Sequence, residues 1–328
     1  MPLPQKPLHL TFLGCGHIGK ALLTTLLPRL SHPESPIAHI TIATSARESH
    51  AQLVEQFQTP SSTSKARIPD RERDRDRGRL SFVYAQNAAA VRAADAVLFA
   101  FPPDRINDVL GEEVVREGLR GKIVISLLAR TGMRELHRAI RGNDEVIEFE
   151  CATSIVRAMP TIAASVHESA TLFAVPDEAG SPYVLAGSRG DSDSDSDFDF
   201  EPAIALAKYL LAPLGQTFFV PERHFDTLTG LSAASNAIAA VALQSLAQRA
   251  TAYGVPAELA NAVAAQCIRG SASVVLRGTA PDELRMSLSA KGSITGQAIG
   301  RLEECGLDGL LEKAIQGAIE RAGDYTKG

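Results

Sequence analysis

Residues 8–21, LHLTFLGCGHIGKA, set Gly14, Gly16 and Gly19 in a G-x-G-x-x-G pattern directly after one apolar run and at the head of another. An apolar run that stops at a glycine and restarts with helical spacing predicts a strand, a tight turn and a helix. In that context each glycine has its own mechanical role. Gly14 makes the turn, Gly16 lets a pyrophosphate approach the backbone, and Gly19 lets the helix pack closely on its strand. The helix N-terminus adds free N–H groups and the positive end of its dipole, so Cys15, His17 and Ile18 join the three glycines in the expected phosphate cradle. A glycine turn with a purely structural role is the alternative.

The choice of dinucleotide is read from the end of the second predicted strand, His39–Thr44, which runs into Ser45, Ala46 and Arg47. A chain that binds NAD commonly places Asp or Glu there for the ribose 2′-hydroxyl, and that carboxylate would repel a 2′-phosphate. A hydroxyl and a guanidinium suit the phosphate instead, so Ser45 and Arg47 point to NADPH rather than NADH. Arg47 as an ordinary exposed arginine is the alternative.

Outward from this turn, short apolar runs alternate with amphipathic stretches to about residue 176, the pattern of βα units in a parallel, doubly wound sheet. Predicted strands are 8–13, 39–44, 80–84, 96–101, 122–128, 154–158 and 171–175; predicted helices are 18–27, 48–57, 88–93, 106–119 and 133–141. A helix over 203–211 and a strand over 216–220 follow, and then almost only helical, small-residue sequence: 222–250, 256–276, 281–287 and 296–321. The expected organisation is thus an α/β fold, a Rossmann-type domain over 1–220 followed by an all-α domain over 221–328. Segments 59–79, with alternating Arg and Asp, and 186–201, containing DSDSDSDFDF, hold too few apolar residues to offset ordering entropy and are expected to be mobile insertions.

Length and composition agree with two compact domains: 328 residues, 45% hydrophobic, 22% charged, no Trp. A net charge of −5 gives no general attraction to nucleic acid, and the basic run 71–79 is interleaved with acids. Four scattered cysteines show neither metal-ligand nor disulfide spacing, so no metal is expected and a reducing compartment fits. The first ten residues hold three prolines and no apolar signal stretch, which makes the cytoplasm the default location. Residues 228–247 are apolar enough to raise a membrane span, but they are mostly Ala and carry Ser232, Ser235, Asn236, Gln244 and Ser245, so no membrane is expected. Ala-rich helices over about 100 residues bury little area alone, so a homodimer or higher oligomer through them is expected.

With these residues in hand the chain resembles the pyrroline-5-carboxylate reductase family over nearly its whole length, apart from the two insertions. Gln86–Pro103, QNAAAVRAADAVLFAFPP, is similar to the stretch in which an Asn contacts the cofactor's adenosine part and a strand runs into Lys-Pro. Asn87 carries over; Pro102, after Phe101, replaces the Lys, and both stay candidate cofactor contacts. Val156-Arg157-Ala158-Met159-Pro160 is similar to the family's R-x-M-P-N, with Thr161 in place of Asn. In the helical part Ser232 and Asn236 lie where the family has its G-S-G-P-A-Y helix, and 290–295, AKGSIT, stands where it has S-P-G-G-x-T, followed by LEECG for L-E-E-x-G. The resemblance implies a helical domain of the 6-phosphogluconate-dehydrogenase-like arrangement, a small cyclic imino acid as substrate, Thr295 as the residue that meets its nitrogen, and Ser232, Asn236, Gly292 and Ser293 around it.

Reduction of a C=N bond needs a hydride donor, a protonated or hydrogen-bonded nitrogen, and an anchor for the carboxylate. A cyclic imine is basic enough to enter protonated, so a hydroxyl such as Thr295 suffices to orient it, while N–H groups near Gly292 and Ser293 suit the carboxylate. Thr295 as the N-cap of the following helix is the alternative. Two rivals stand beside this reading. A hydroxyacid dehydrogenase of related build would use a Lys on its interdomain helix, and 222–250 contains none. A non-catalytic NADPH-binding protein would be consistent with the altered pocket segments. Within the enzyme reading, both pyrroline-5-carboxylate and a substituted, for example methylated, pyrroline acid of specialised metabolism remain candidates.

Overall fold

The computed structural model describes residues 6–58, 77–142, 153–175, 185–186 and 202–323. The expected insertions lie almost wholly outside them. By packing, the chain divides into one unit through Thr229, rejoined at Gly323, and a second from Gly230 to Ala322. The change in composition that places a boundary at 220/221 in the sequence lies ahead of this point, because the first turns of the long helix pack with the sheet.

In the first unit the order is β1 (Leu8–Leu13), α1 (His17–Leu30), β2 (Ile37–Thr44), α2 (Arg47–Gln58), β3 (Leu80–Tyr84), α3 (Asn87–Ala93), β4 (Ala96–Phe99), α4 (Ile106–Leu110), α5 (Glu113–Leu119), β5 (Ile123–Ser126), α6 (Met133–Arg141), β6 (Ser154–Met159), β7 (Ser169–Val175), β8 (Leu185–Ala186), α7 (Pro202–Leu211) and β9 (Gly215–Pro221). They form one nine-stranded sheet in the order β3-β2-β1-β4-β5-β6-β7-β9-β8. The central strands β4 and β5 read as near-continuous apolar runs because both faces are covered. Leu10 and Phe12 pack with α1 and α7 on one face, whereas Leu13, Val97 and Phe99 pack with α3 to α6 on the other. Each fully buried Leu, Ile or Phe contributes roughly 1.5–3 kcal/mol to that two-sided core.

Strand order reverses between β1 and β4, so the crevice beyond their C-terminal ends is the topological switch point of the sheet, and Gly14 opens directly into it. Three details depart from the sequence expectation. Strand β7 runs antiparallel to β6, reached through a short 3-10 turn at Ile162–Val166 rather than a helix, so the sheet is mixed. The helix expected over 106–119 is broken between Leu110 and Glu113, around Gly111. The helix expected over 296–321 is two, α11 (Ile294–Glu304) and α12 (Leu307–Gly323), because Gly306 between them adopts φ +68.

The second unit consists of the rest of α8 (Glu222–Ala252), α9 (Ala257–Leu276), α10 (Pro281–Leu288), α11 and most of α12. Gly230 lets α12 cross α8 closely: a Cβ there would lie 2.5 Å from Ile319 Cα. Helices α8 and α9 are long and apolar enough to cross a membrane by length and composition alone, and only 17% and 11% of their apolar windows are buried within the chain. Their faces carry exposed Leu231, Val241, Leu246, Leu259 and Val263.

At the opposite, N-terminal end of the sheet, His9 and His39 pair in register with ring centroids 4.8 Å apart; their Nε2 atoms hydrogen-bond Thr41 Oγ1 (2.8 Å) and Ser81 Oγ (2.9 Å). Desolvation lowers the pKa of both rings below the ordinary value of 6.5. The unfolded chain therefore binds protons more tightly, and stability present above about pH 6.5 is lost as the pH falls from there toward the lowered folded values. Denaturation midpoints measured between pH 8 and pH 5 are expected to fall on the acid side, with a shallower fall in a His9→Asn, His39→Asn double variant.

Candidate active site

The glycine turn has the geometry that the sequence implies. Gly14 has φ +77, its N–H bonds Ala43 O (2.8 Å), and a Cβ on it would stand 2.9 Å from Ala100 O and 3.0 Å from Phe101. Only glycine fits there. Gly16 is the N-cap of α1 in extended backbone at φ −75, and its missing Cβ would have nothing nearer than Ala100 O at 3.9 Å. Open space in front of that atom, at a helix N-terminus, is the cradle a phosphate needs. Gly19 faces inward, where a Cβ would meet Cys15 Sγ at 3.1 Å and Ala100 Cβ at 3.6 Å. Burial pushes the Cys15 thiol up to about 12, so it is a packing group under the turn and can offer a cofactor only its backbone. His17 opens α1, and Ile18 packs against the core below it.

The expected 2′-phosphate and adenosine contacts collect at the same sheet edge. Ser45 and Arg47, both exposed, follow β2; Arg47 opens α2 and has no ion-pair partner among the described residues. Asn87 begins α3, reached from β3 through Ala85, a non-glycine residue at φ +52 whose N–H bonds Thr44 O (2.9 Å). After β4 the two remaining candidates part. Phe101 is buried against Phe99, with ring centroids 5.4 Å apart, so its side chain belongs to the core, while Pro102 is exposed at the edge. No cluster of three or more His, Cys, Asp or Glu residues that could hold a metal occurs among the described residues.

In the second unit the candidate substrate residues lie on two helices. Ser232 and Asn236 are one turn apart on α8, and Asn236 Nδ2 donates to Ser232 O (2.9 Å). At the head of α11 the N-cap is Ser293, whose Oγ accepts from Gly296 N (2.9 Å). Thr295 is therefore not the cap. The N–H of Ser293 is donated to Ala290 O (3.0 Å), which removes it as a carboxylate anchor and leaves the N–H groups of Ile294 and Thr295 at the helix start. Gly292, at φ +82, turns the chain into this start with open space around its missing Cβ.

The hydroxyl pair has a defined polarity. Ser293 Oγ donates its one proton to Ala290 O (2.7 Å), so across the 3.2 Å contact with Thr295 Oγ1 it can only accept. Thr295 Oγ1 can donate to Ser293 across this contact and still offer a lone pair from its exposed position. Arg285 holds this segment from α10, bonding Glu303 (2.7 Å) on α11 and Asp308 (3.3 Å) on α12.

Sequence reading alone missed one constellation. Arg157 on β6 is 1% exposed, donates to Glu222 Oε1 (2.7 Å) and Asp226 Oδ1 (2.6 Å) in the first turns of α8, and lies 4.1 Å over the Phe225 ring. Glu222 Oε1 also accepts the N–H of Met133 at the start of α6 (3.1 Å). The run E-R-H-F-D at 222–226, spacing two acids and an aromatic on one helix face, is the signal that could have revealed it.

Comparison with known proteins agrees with this arrangement. The family model for pyrroline-5-carboxylate reductase dimerisation matches residues 222–325, and that for NADP oxidoreductase, coenzyme F420-dependent, matches residues 9–130. A pyrroline-5-carboxylate reductase of Lophium arboricola is 27% identical over 326 residues, covering 98% of this chain and 94% of its own length. The pyrroline-5-carboxylate reductase ucsG of an Acremonium species is 26% identical, covering 95% and 91%. The crystal structure of Plasmodium falciparum pyrroline carboxylate reductase with NADP bound superposes with a TM-score of 0.67 at 17% identity, covering 98% of this chain and 99% of that one, which shows the shared fold. With relatives spanning the full length and family matches in both halves, the chain is similar to the pyrroline-5-carboxylate reductases along nearly all of its length.

Proposed function

We propose that this protein is a cytoplasmic, homo-oligomeric NADPH-dependent imine reductase that reduces the C=N bond of a cyclic imino acid, either 1-pyrroline-5-carboxylate to proline or a ring-substituted relative to the corresponding proline analogue. The observation that carries the reading is the Gly14–Gly19 turn at the switch point, with Ser45 and Arg47 and no carboxylate directly after β2. The backbone from Gly14 to Gly19 would hold the phosphates, and Ser45 and Arg47 would hold the 2′-phosphate. NADPH supplies the hydride when bound. Oligomerisation rests on the dimerisation match over 222–325 and on the exposed apolar faces of α8 and α9, which a second copy would cover.

The chain's own contribution follows from the polarity at the head of α11. A lone pair on Thr295 Oγ1 accepts the N–H of a protonated imine and holds its carbon oriented, while the N–H groups of Ile294 and Thr295 receive the carboxylate. A protonated imine brings its own activating charge, so no strong acid is needed at Thr295. In the Thr295→Ala variant the acceptor is gone, and kcat/KM should fall about 10- to 100-fold, the worth of one hydrogen bond to a charged group. Thr295→Ser should retain most of the rate. The deciding assay compares NADPH oxidation with pyrroline-5-carboxylate and with its methyl-substituted relatives. Turnover of either supports the proposal, and turnover of neither, with NADPH binding intact, overturns it.

A further inference from the structure

Helix α2 lies on the edge strand β3 through two aromatic pairs. The inner one, Phe57 and Phe82, is stacked at 6.5 Å between ring centroids and packs against the core. The outer one, His50 and Tyr84, has its centroids 5.9 Å apart at an angle of 57°. Packing accounts for the inner pair, but the outer one reaches the C-terminal edge of the sheet, where Tyr84, 42% exposed, is the last residue of β3 in register with Thr44, the last residue of β2. His50 Nδ1 is tied to Thr44 Oγ1 at 3.3 Å, so Nε2, on the far side of the ring, is the atom left for another partner. Ser45 and Arg47 directly precede this ring, and the left-handed Ala85 turns the chain immediately after Tyr84.

We infer that Tyr84 and His50 bind the adenosine end of the dinucleotide: the Tyr84 ring is the stacking face for the adenine, and His50 Nε2 is a third contact, beside Ser45 and Arg47, to the ribose 2′-phosphate. This rests on the NADPH reading above and adds to it the two side chains that recognise the purine and the phosphate. An exposed aromatic ring offers an adenine a π-face at the place where the second strand of a dinucleotide-binding sheet delivers its ribose contacts. A residue kept only to pack α2 on β3 would be covered by that packing, as Phe57 and Phe82 are in part.

The test uses the full-length protein and adenosine 2′,5′-bisphosphate, which carries the purine and the 2′-phosphate without the nicotinamide. Tyr84→Ala should weaken its binding about tenfold, the scale of one base stacked on an aromatic ring. His50→Ala should weaken it about fivefold, as loss of one hydrogen bond does, yet leave adenosine 5′-monophosphate binding within about twofold; both losses should fall on the KM for NADPH rather than on kcat. With no Trp and five Tyr in the chain, the bisphosphate should also quench tyrosine fluorescence, and Tyr84→Phe should bind equally well while losing that quench. Wild-type protein that binds the bisphosphate while all three variants match it in affinity and quench overturns this inference and leaves the NADPH reading standing. Wild-type protein that binds neither the bisphosphate nor NADPH overturns both.

Discussion

Replacing Gly16 by valine should leave the fold nearly as stable as before and weaken NADPH binding about 100-fold. The two effects separate because of what surrounds that atom. Gly16 sits in extended backbone that any L-residue adopts, and a Cβ there approaches nothing in the protein closer than 3.9 Å. The fold therefore loses roughly 0.5–1 kcal/mol for a poorer N-cap. The same Cβ fills the space through which the pyrophosphate approaches the helix N–H groups, and forfeiting that approach at about 2.7 kcal/mol corresponds to the 100-fold loss. Gly14→Val is the contrasting case: at φ +77 and 2.9 Å from Ala100 O, it should lower the unfolding free energy itself by about 2 kcal/mol or more. Calorimetric titration with NADPH alongside thermal unfolding of both variants checks the pair. Equal NADPH affinity in Gly16→Val would remove the turn from cofactor binding.

Arg157→Met should destabilise the fold by about 3–5 kcal/mol. Methionine restores much of the volume, so the loss is electrostatic in origin. It strands Glu222 and Asp226, whose side chains are only 28% and 19% exposed, without the guanidinium that pairs with both. Against a total stability of about 5–15 kcal/mol for an ordinary domain, this approaches the threshold of folding. The network is not fully satisfied, since Arg157 Nε and Glu222 Oε2 are buried without a hydrogen-bond partner, so an uncharged, size-matched replacement of all three residues should recover much of the loss. Urea unfolding of Arg157→Met and of an Arg157→Met, Glu222→Gln, Asp226→Asn triple variant measures it: the triple variant is expected to be the more stable of the two.

The parts of this fold governed by local rules were legible in the sequence. A strand stops at Gly14 and the chain restarts as a helix at His17, one residue ahead of the expected start. Chain reversals set by long-range pairing were not legible. Nothing in 154–175 distinguishes a strand joined in parallel from β7, which turns back through Ile162–Val166 to pair antiparallel with β6. Helix ends were misjudged where a glycine acts through its conformation: Gly306 reads as one more small residue until its φ of +68 splits α11 from α12.

The site was legible to a similar depth. Position after the second strand pointed to Ser45 and Arg47 and the family resemblance to Asn87 as candidates, but the cap of α11 depends on which hydroxyl reaches Gly296 N, and that is Ser293 rather than Thr295. Arg157 could be quoted as one letter of a motif, whereas its partners 65 and 69 residues further on emerge only from the fold.

The central claim, that this chain delivers hydride from NADPH to the carbon of a cyclic C=N bond, is tested most directly by label transfer. Incubating the protein with NADPH carrying deuterium at the transferable position and with 1-pyrroline-5-carboxylate or its methyl-substituted relatives should yield a proline or proline analogue with one deuterium on the former imine carbon. Bound NADPH that gives up no label to any of these substrates would contradict it.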